Sequence, residues 1–388
     1  MRGVSARGAA IASAFLVTIA VSACAPEPAE EPTPAPSASA SASPIATPTP
    51  TPVATPPTAA ADLVAEMTVL EKAAAVVMGY AAGTDPAALA GYVAAGPQGV
   101  ILMGDNVPAD PDALGALTSA IAATADPPPL IAIDQEGGVV SRLPWDDLAS
   151  ARDLKGADPT AIEEAFAGRG ELLAEAGVTV NFGVVADVPR GDGSFIFSRA
   201  FGTDPSAVAD AIAAAVRGED DLVLTTLKHF PGHGAAEGDS HHLIPATNLG
   251  YDAWRAGDAL PFAAGIDAGA ELVMMGHLRF TAVDDRPASL SPEWYRILRD
   301  ELGFDGVAVT DDLGMLLSSG EAAYADPAGN AVAALAAGAD LVLMVAGSDT
   351  GTAGAMIDGI AEAIHDGSLP DERLDEAAAR VLALRLAS

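Results

Sequence analysis

Eight short apolar runs recur along this chain, with stretches of helical character between them. The runs are Ala74–Tyr80, Gln98–Met103, Pro129–Ile133, Val178–Val185, Leu222–Leu227, Leu272–Gly276, Gly306–Thr310 and Ala339–Met344. Each has the length of a strand and is apolar almost throughout, as a strand buried on both faces must be. The helical stretches are Pro111–Ala125, Thr160–Ala176, Pro205–Arg217, Ala253–Ala268, Pro292–Leu302 and Asp326–Ala337. The last opens with Asp326-Pro327, a side chain suited to cap a helix followed by a ring suited to its first turn. Such alternation implies parallel strands joined by crossover helices. Eight repeats, with no Gly-x-Gly-x-x-Gly turn after the first, favour a closed (β/α)8 barrel of the TIM type over an open doubly wound sheet. A final helix runs from Asp371 to about Leu386. Half of the residues are hydrophobic, enough for a large core, and a single α/β barrel is expected over residues 62–388.

The residues ahead of the barrel read differently. Arg2 and Arg7 form a positive start, Ala9–Ala20 an apolar segment, and Val21-Ser22-Ala23-Cys24 a small-residue site that ends in the single cysteine of the chain. Residues 1–23 are too short for a spanning helix with normal flanks and read as a signal peptide. The Val-Ser-Ala-Cys string resembles a bacterial lipobox, which would leave Cys24 as a diacylated N-terminus, the one place where lipid attachment needs a thiol. From there to residue 61 the chain is almost entirely Pro, Ala, Ser, Thr and Glu, a composition without a core that reads as a disordered tether. At about 3.1 Å per residue, its reach is on the order of 100 Å. The expected location is the outer face of the cell membrane, with the membrane engaged through the lipid anchor alone.

The net charge is −34, from 53 acidic and 19 basic residues. That surface repels nucleic acid and anionic headgroups, so nucleic-acid binding is set aside. One cysteine excludes an intrachain disulfide.

Polar side chains of catalytic type fall directly after the apolar runs. Asp134-Gln135-Glu136 follows the third run, Asp187 the fourth, Lys228-His229 the fifth, His277 the sixth and Asp311-Asp312 the seventh. In a barrel, all strand C-termini open onto one mouth, so these groups would converge there. Four of the six histidines lie between His229 and His242, in a loop whose glycines and proline suit a mobile flap. Asp239 and His241 are two apart, close enough for the carboxylate to fix one imidazole tautomer and raise the basicity of the other nitrogen.

The strings KHFPGHG, DSH and VTDDLGM, together with IAIDQEGGVVSRL and SRAFGTDP, resemble glycoside hydrolase family 3, specifically its NagZ-type β-N-acetylglucosaminidases. The resemblance runs from about Leu63 to Leu386. With lipobox and tether, the chain is similar to actinobacterial surface lipoproteins of this group. It implies Asp311 as a nucleophile that forms a covalent glycosyl intermediate, His241 as acid/base and Asp239 as its partner. Asp134, Arg142, Arg199, Lys228 and His229 would hold the non-reducing sugar. No metal or cofactor is expected. Where the family often reads Gly-Gly-Arg, this chain has Gly137-Gly138-Val139.

A retaining glycosidase needs a carboxylate on one face of the anomeric carbon and a proton donor on the other. Lys228 and Arg199 are expected to keep Asp311 ionised, and Asp134 to accept two sugar hydroxyls. Asp312 reads as a hydrogen-bond acceptor behind the nucleophile. The alternative is an Asp311-Asp312 pair of the substrate-assisted kind, which would leave the His-Asp flap without a role. A histidine acid/base carries no negative charge to repel phosphate, so a phosphorolytic side activity is expected. Two further readings are a metal-dependent barrel hydrolase and a non-catalytic lipoprotein that binds wall sugars. Lys228 beside His229 argues against a metal, and the presence of Asp311, Asp239 and His241 together argues against mere binding. A wall muropeptide, a chitin oligomer and a glycoprotein glycan are all possible substrates, the first favoured by location. Oligomeric state is left open.

The anchor reading is tested by Cys24→Ala, which should move the protein from the membrane fraction to the soluble fraction. Unchanged fractionation would mean a different anchor.

Overall fold

The structure, a computed structural model, describes residues 58–388. The expected signal peptide, the expected lipidation site Cys24 and the expected tether up to residue 57 lie outside the described residues. Eight parallel strands make the barrel: β1 (Val77–Gly79), β2 (Gly99–Leu102), β3 (Leu130–Ile133), β4 (Val180–Val185), β5 (Leu224–Phe230), β7 (Leu272–Met275), β9 (Val307–Thr310) and β10 (Val342–Leu343). They pair in chain order, β10 returns to β1, and a parallel bridge from Val309 to Leu341 completes the circuit. Outside it, β6 (Ala246–Thr247) pairs with β8 (Arg279–Phe280). Each expected strand is present, with shifted ends. Ala74 and Ala75 close the helix Val69–Ala75 instead of opening β1. β5 runs on to Phe230, so Lys228 and His229 lie within the strand and not beyond it.

Side chains alternate across the barrel wall. Met78, Ile101, Leu130, Ala132, Val180, Phe182, Leu272, Met274, Val307, Val309 and Leu343 form one buried cluster inside. Their neighbours Val100, Ile131, Ile133, Val273, Met275 and Ala308 face the helices. Period-two alternation with both faces apolar is what leaves few polar positions in the strands, Asn181, Thr225 and Thr226 among them.

The helices start where the sequence punctuates them. Asp85, Asp110, Asp158, Asp204 and Asp326 each precede a proline, and each carboxylate accepts a backbone N–H two or three residues on. The proline gives up no hydrogen bond there, because its N–H would be an orphan of the first turn. The stretch Ala253–Ala268 is two helices, Tyr251–Arg255 and Ala259–Asp267, split at Gly257-Asp258. Pro292–Leu302 changes from an α-helix to a π-helical turn at Ile297. The helix Thr58–Glu66 already buries Ala60 and Val64, so folded structure begins ahead of residue 62. Among the described residues, no helix is long and apolar enough to cross a membrane.

At the end away from the strand C-termini, one buried carboxylate gathers three guanidiniums. Asp340 accepts from Arg373 at 2.6 Å, from Arg380 at 3.1 Å, from Arg299 and from the Ala308 N–H. Burial raises its pKa, but the three arginines outweigh that and hold it below the ordinary value. This contribution is present above the unfolded carboxyl pKa and is lost only as pH falls through the lower folded one. Asp340→Asn takes the shared anion from buried Arg380 and from the largely buried Arg299 and Arg373, of which only Arg373 keeps another, Glu376, and should cost about 3–5 kcal/mol in urea unfolding. An unchanged midpoint would show the cluster to be neutral.

Candidate active site

The C-terminal ends of β3, β4, β5, β7 and β9 carry the polar residues of the mouth. Lys228, on β5, is 2% exposed, and its Nζ lies 2.8 Å from Asp134 Oδ1 and 2.7 Å from Glu136 Oε1. A buried ammonium is tolerable only with such partners. Burial lowers its pKa, yet the two carboxylates raise it further, so it stays charged. One of its three donors remains for a ligand. Arg142 reaches Asp134 Oδ2 at 3.4 Å. Arg199 grips Glu136 with two bonds, Nε to Oε2 at 2.9 Å and a terminal nitrogen to Oε1 at 2.6 Å. Burial raises the carboxyl of Glu136, but Lys228 and Arg199 bring it below the ordinary value.

His229 is set by its neighbours. Its Nδ1–H donates to Asp187 Oδ2 at 2.7 Å, and its Nε2 faces an Arg199 nitrogen at 3.3 Å, where it can only accept. Burial, followed by the charge of Arg199, pushes its pKa well below 6.5, so the ring is neutral. Asp187 also takes the backbone N–H groups of His229 and His233. An imidazole committed on both sides, with a guanidinium against one nitrogen, is poorly placed to bind a cation. Among the described residues, no group of three or more His, Cys, Asp or Glu is arranged around a metal position.

Asp311 stands just past β9, its N–H bonded to the Met275 carbonyl at 2.9 Å. Its Oδ1 accepts the Asp312 N–H at 2.8 Å, and Oδ2 has no partner among the described residues. Burial raises its pKa, but His229, His277, the Asp312 N–H and Lys228 outweigh this and hold it low. Arg199, expected to help, is not among the leading causes, and its guanidinium is bonded to Glu136. Asp312 turns away from chemistry. Its carboxylate accepts from the N–H groups of Gly314, Val345 and Ala346 at 2.7–2.8 Å, caps the helix Leu313–Ser318 and ties it to the loop after β10. Burial raises its pKa to about 6. His277 Nε2 donates to the Asp312 carbonyl, which braces the same turn.

The flap leaves β5 through Gly232, at φ 128°. Gly234 follows, where a Cβ would stand 2.1 Å from the Val188 carbonyl oxygen. His233 Nε2 meets Ser240 Oγ at 2.9 Å across the loop. His241 Nδ1 lies 2.6 Å from Asp239 Oδ1, and the pair is far more open than the rest, at 55% and 36% side-chain exposure.

One cavity of about 250 Å³, room for a single pyranose, is lined by Asp134, Arg142, Arg199, Lys228, His229, His241, Asp311 and Asp312. Every site residue expected inside the barrel lines it except Asp239, which stands behind His241. A larger groove of about 830 Å³ lies at the opposite end, among Gln98, Pro127, Ile357 and Arg385, and contains no such constellation. Glu136 and Asp187 hold the site together, although the sequence marked them only by position after a strand. For Glu136 the signal is a second carboxylate near a buried cation; for Asp187 it is a carboxylate at a strand end facing the histidine of the next strand.

The chain matches the model of the glycosyl hydrolase family 3 N-terminal domain over residues 89–384. It is 41% identical over 239 residues to a β-hexosaminidase of Stenotrophomonas maltophilia, covering 59% of this chain and 70% of that one. Among solved structures it resembles a family 3 β-N-acetylglucosaminidase from Paenibacillus sp. (TM-score 0.77, 31% identity), covering 82% of this chain but only 62% of that longer one. It also resembles a β-N-acetylhexosaminidase from Beutenbergia cavernae (TM-score 0.73, 30% identity), covering 83% of this chain and 99% of that one. A match through most of the barrel, on strands that deliver these residues to one mouth, means that the chain belongs to glycosyl hydrolase family 3.

Proposed function

We propose that this protein is an exo-acting β-N-acetylhexosaminidase that releases terminal N-acetylglucosamine with retention of configuration. The observation that carries the reading is the shared cavity. An ionised carboxylate with one unpartnered oxygen and an open His-Asp pair line a space the size of one sugar. The names of the relatives support the substrate class.

Asp311 Oδ2 attacks the anomeric carbon, and His241 Nε2 gives its proton to the departing oxygen. Asp239 holds Nδ1–H and stabilises the imidazolium that precedes transfer. In the second half, neutral His241 takes a proton from water as it attacks the glycosyl-aspartate. Asp134, Arg142, Arg199, Lys228 and His229 anchor the sugar hydroxyls, with Lys228 and Arg199 as donors and Asp134 as acceptor. Glu136 is no rival proton donor, since two cations keep it ionised. Asp312 is occupied by three backbone donors, which weighs against a substrate-assisted carboxylate pair. Cys24 as a lipid anchor and a peptidoglycan fragment as substrate complete the reading, and both rest on the sequence.

Asp311→Ala should abolish turnover and leave the unfolding midpoint close to the parent. A fluorinated slow substrate should label Asp311, and a label on Asp312 would overturn the assignment. Treatment with EDTA should change nothing; loss of activity would revive the metal hydrolase.

His241→Ala should slow substrates with poor leaving groups by about 10²–10⁴-fold and activated aryl glycosides less. Asp239→Ala should follow the same pattern more weakly. In phosphate buffer, some glycosyl phosphate should appear beside the dominant hydrolysis product. Equal slowing of all substrates would make His241 a positioning residue.

A further inference from the structure

Three large apolar side chains stay exposed in the loops that follow successive strands at the mouth: Val139 after β3 at 68%, Phe195 after β4 at 36% and Leu243 after β5 at 45%. Val139 adjoins Val140, which lines the cavity, and Leu243 is two residues from His241, which also lines it. Phe195 touches the flap itself. Its ring centroid lies 5.9 Å from that of His241, edge to face, and 5.4 Å from that of His233. Apolar surface left in water beside a polar cavity marks a place that a ligand covers.

The position of the ring relative to the proton donor says which part of the ligand. In an exo-acting glycosidase, the donor stands at the bridging oxygen, between the enclosed sugar and the remainder of the substrate. A cavity for one sugar leaves that remainder outside, on the solvent side of His241. Phe195, 36% exposed, stands against that same histidine. Pyranoses present a flat face of C–H bonds polarised by neighbouring oxygens, which suits the negative face of an aromatic ring. We propose that Phe195 is the stacking platform for the sugar in the leaving-group position, and so a specificity residue for an aglycone that is itself a pyranose. The proposal rests on the function argued above. It differs from a purely structural Phe195 that only props the flap.

Partitioning of the glycosyl-enzyme separates the two. The full chain is given the β-fluoride of N-acetylglucosamine, whose leaving group has no sugar, with methyl α-N-acetylglucosaminide, which a β-specific enzyme does not cleave, as acceptor. The ratio of transfer product to hydrolysis product is read by chromatography. Water and acceptor are deprotonated by the same His241, so a displaced histidine slows both and leaves the ratio unmoved. Phe195→Ala should lower the ratio by about tenfold, the size of one aromatic contact, and Phe195→Trp should retain it. Ethanol, an acceptor with no face to stack, should give the same ratio in parent and Phe195→Ala. An unchanged sugar ratio, or an equal fall for ethanol, overturns the platform. A parent that leaves the fluoride unconsumed overturns the glycosidase reading, and the platform with it.

Discussion

The mouth of this barrel depends on one buried ammonium. Lys228 is almost fully buried where it borders the cavity, and a cation there must be matched by anions. Asp134 and Glu136 supply them from the loop after β3. Glu136 then engages Arg199 from the loop after β4, and Arg199 fixes the free nitrogen of His229, the residue next to Lys228 on β5. Three adjacent strands are thereby joined through their polar ends as firmly as through their ladders. The members are mutually dependent, so removing one leaves its partners unpaired and their contributions will not add. Asp311 and Asp312 have no salt-bridge partner among the described residues, and of the two only Asp311 keeps a carboxylate oxygen without a hydrogen bond.

That network is fixed and nearly dry, whereas the proposed proton donor is neither. His241 and Asp239 sit on a loop held by the His233–Ser240 hydrogen bond and by the edge of Phe195. The division matches the two tasks. A nucleophile must be aimed at a single carbon, and a strand end aims it well. A proton donor has to admit a sugar before it acts, which a loop allows.

Much of this was legible from the residues alone. Continuous apolar runs named all eight strands because a strand with two buried faces has few polar positions to confuse the pattern. The convergence of Asp134, Lys228, His229 and Asp311 followed from the common direction of parallel strands. Other features were hidden by physics that acts across the chain. The split of Ala253–Ala268 comes from packing around buried Asp258, whose environment sequence periodicity does not report. The short helices Pro86–Ala94 and Leu313–Ser318 carry too few turns for a period to emerge. The work of Glu136 and Asp187 lies in partners 63 and 42 residues away. Phe195 could not be singled out, because its meaning is exposure beside a histidine.

The five Asp-Pro steps that open helices, out of six in the chain, have a consequence for how such a molecule can change. All five stand where a loop of the catalytic face hands over to a helix. Each acts as a stop that restarts the helical phase whatever precedes it, since capping and the fixed proline angle are local. A mouth loop bounded by a strand end on one side and by such a stop on the other can be lengthened or swapped, and the scaffold does not register the edit. Surface loops absorb added length at small entropic cost. The same punctuation that positions the present site therefore makes it modular, and recombination of whole loops becomes a natural route to new glycan preferences on an unaltered frame.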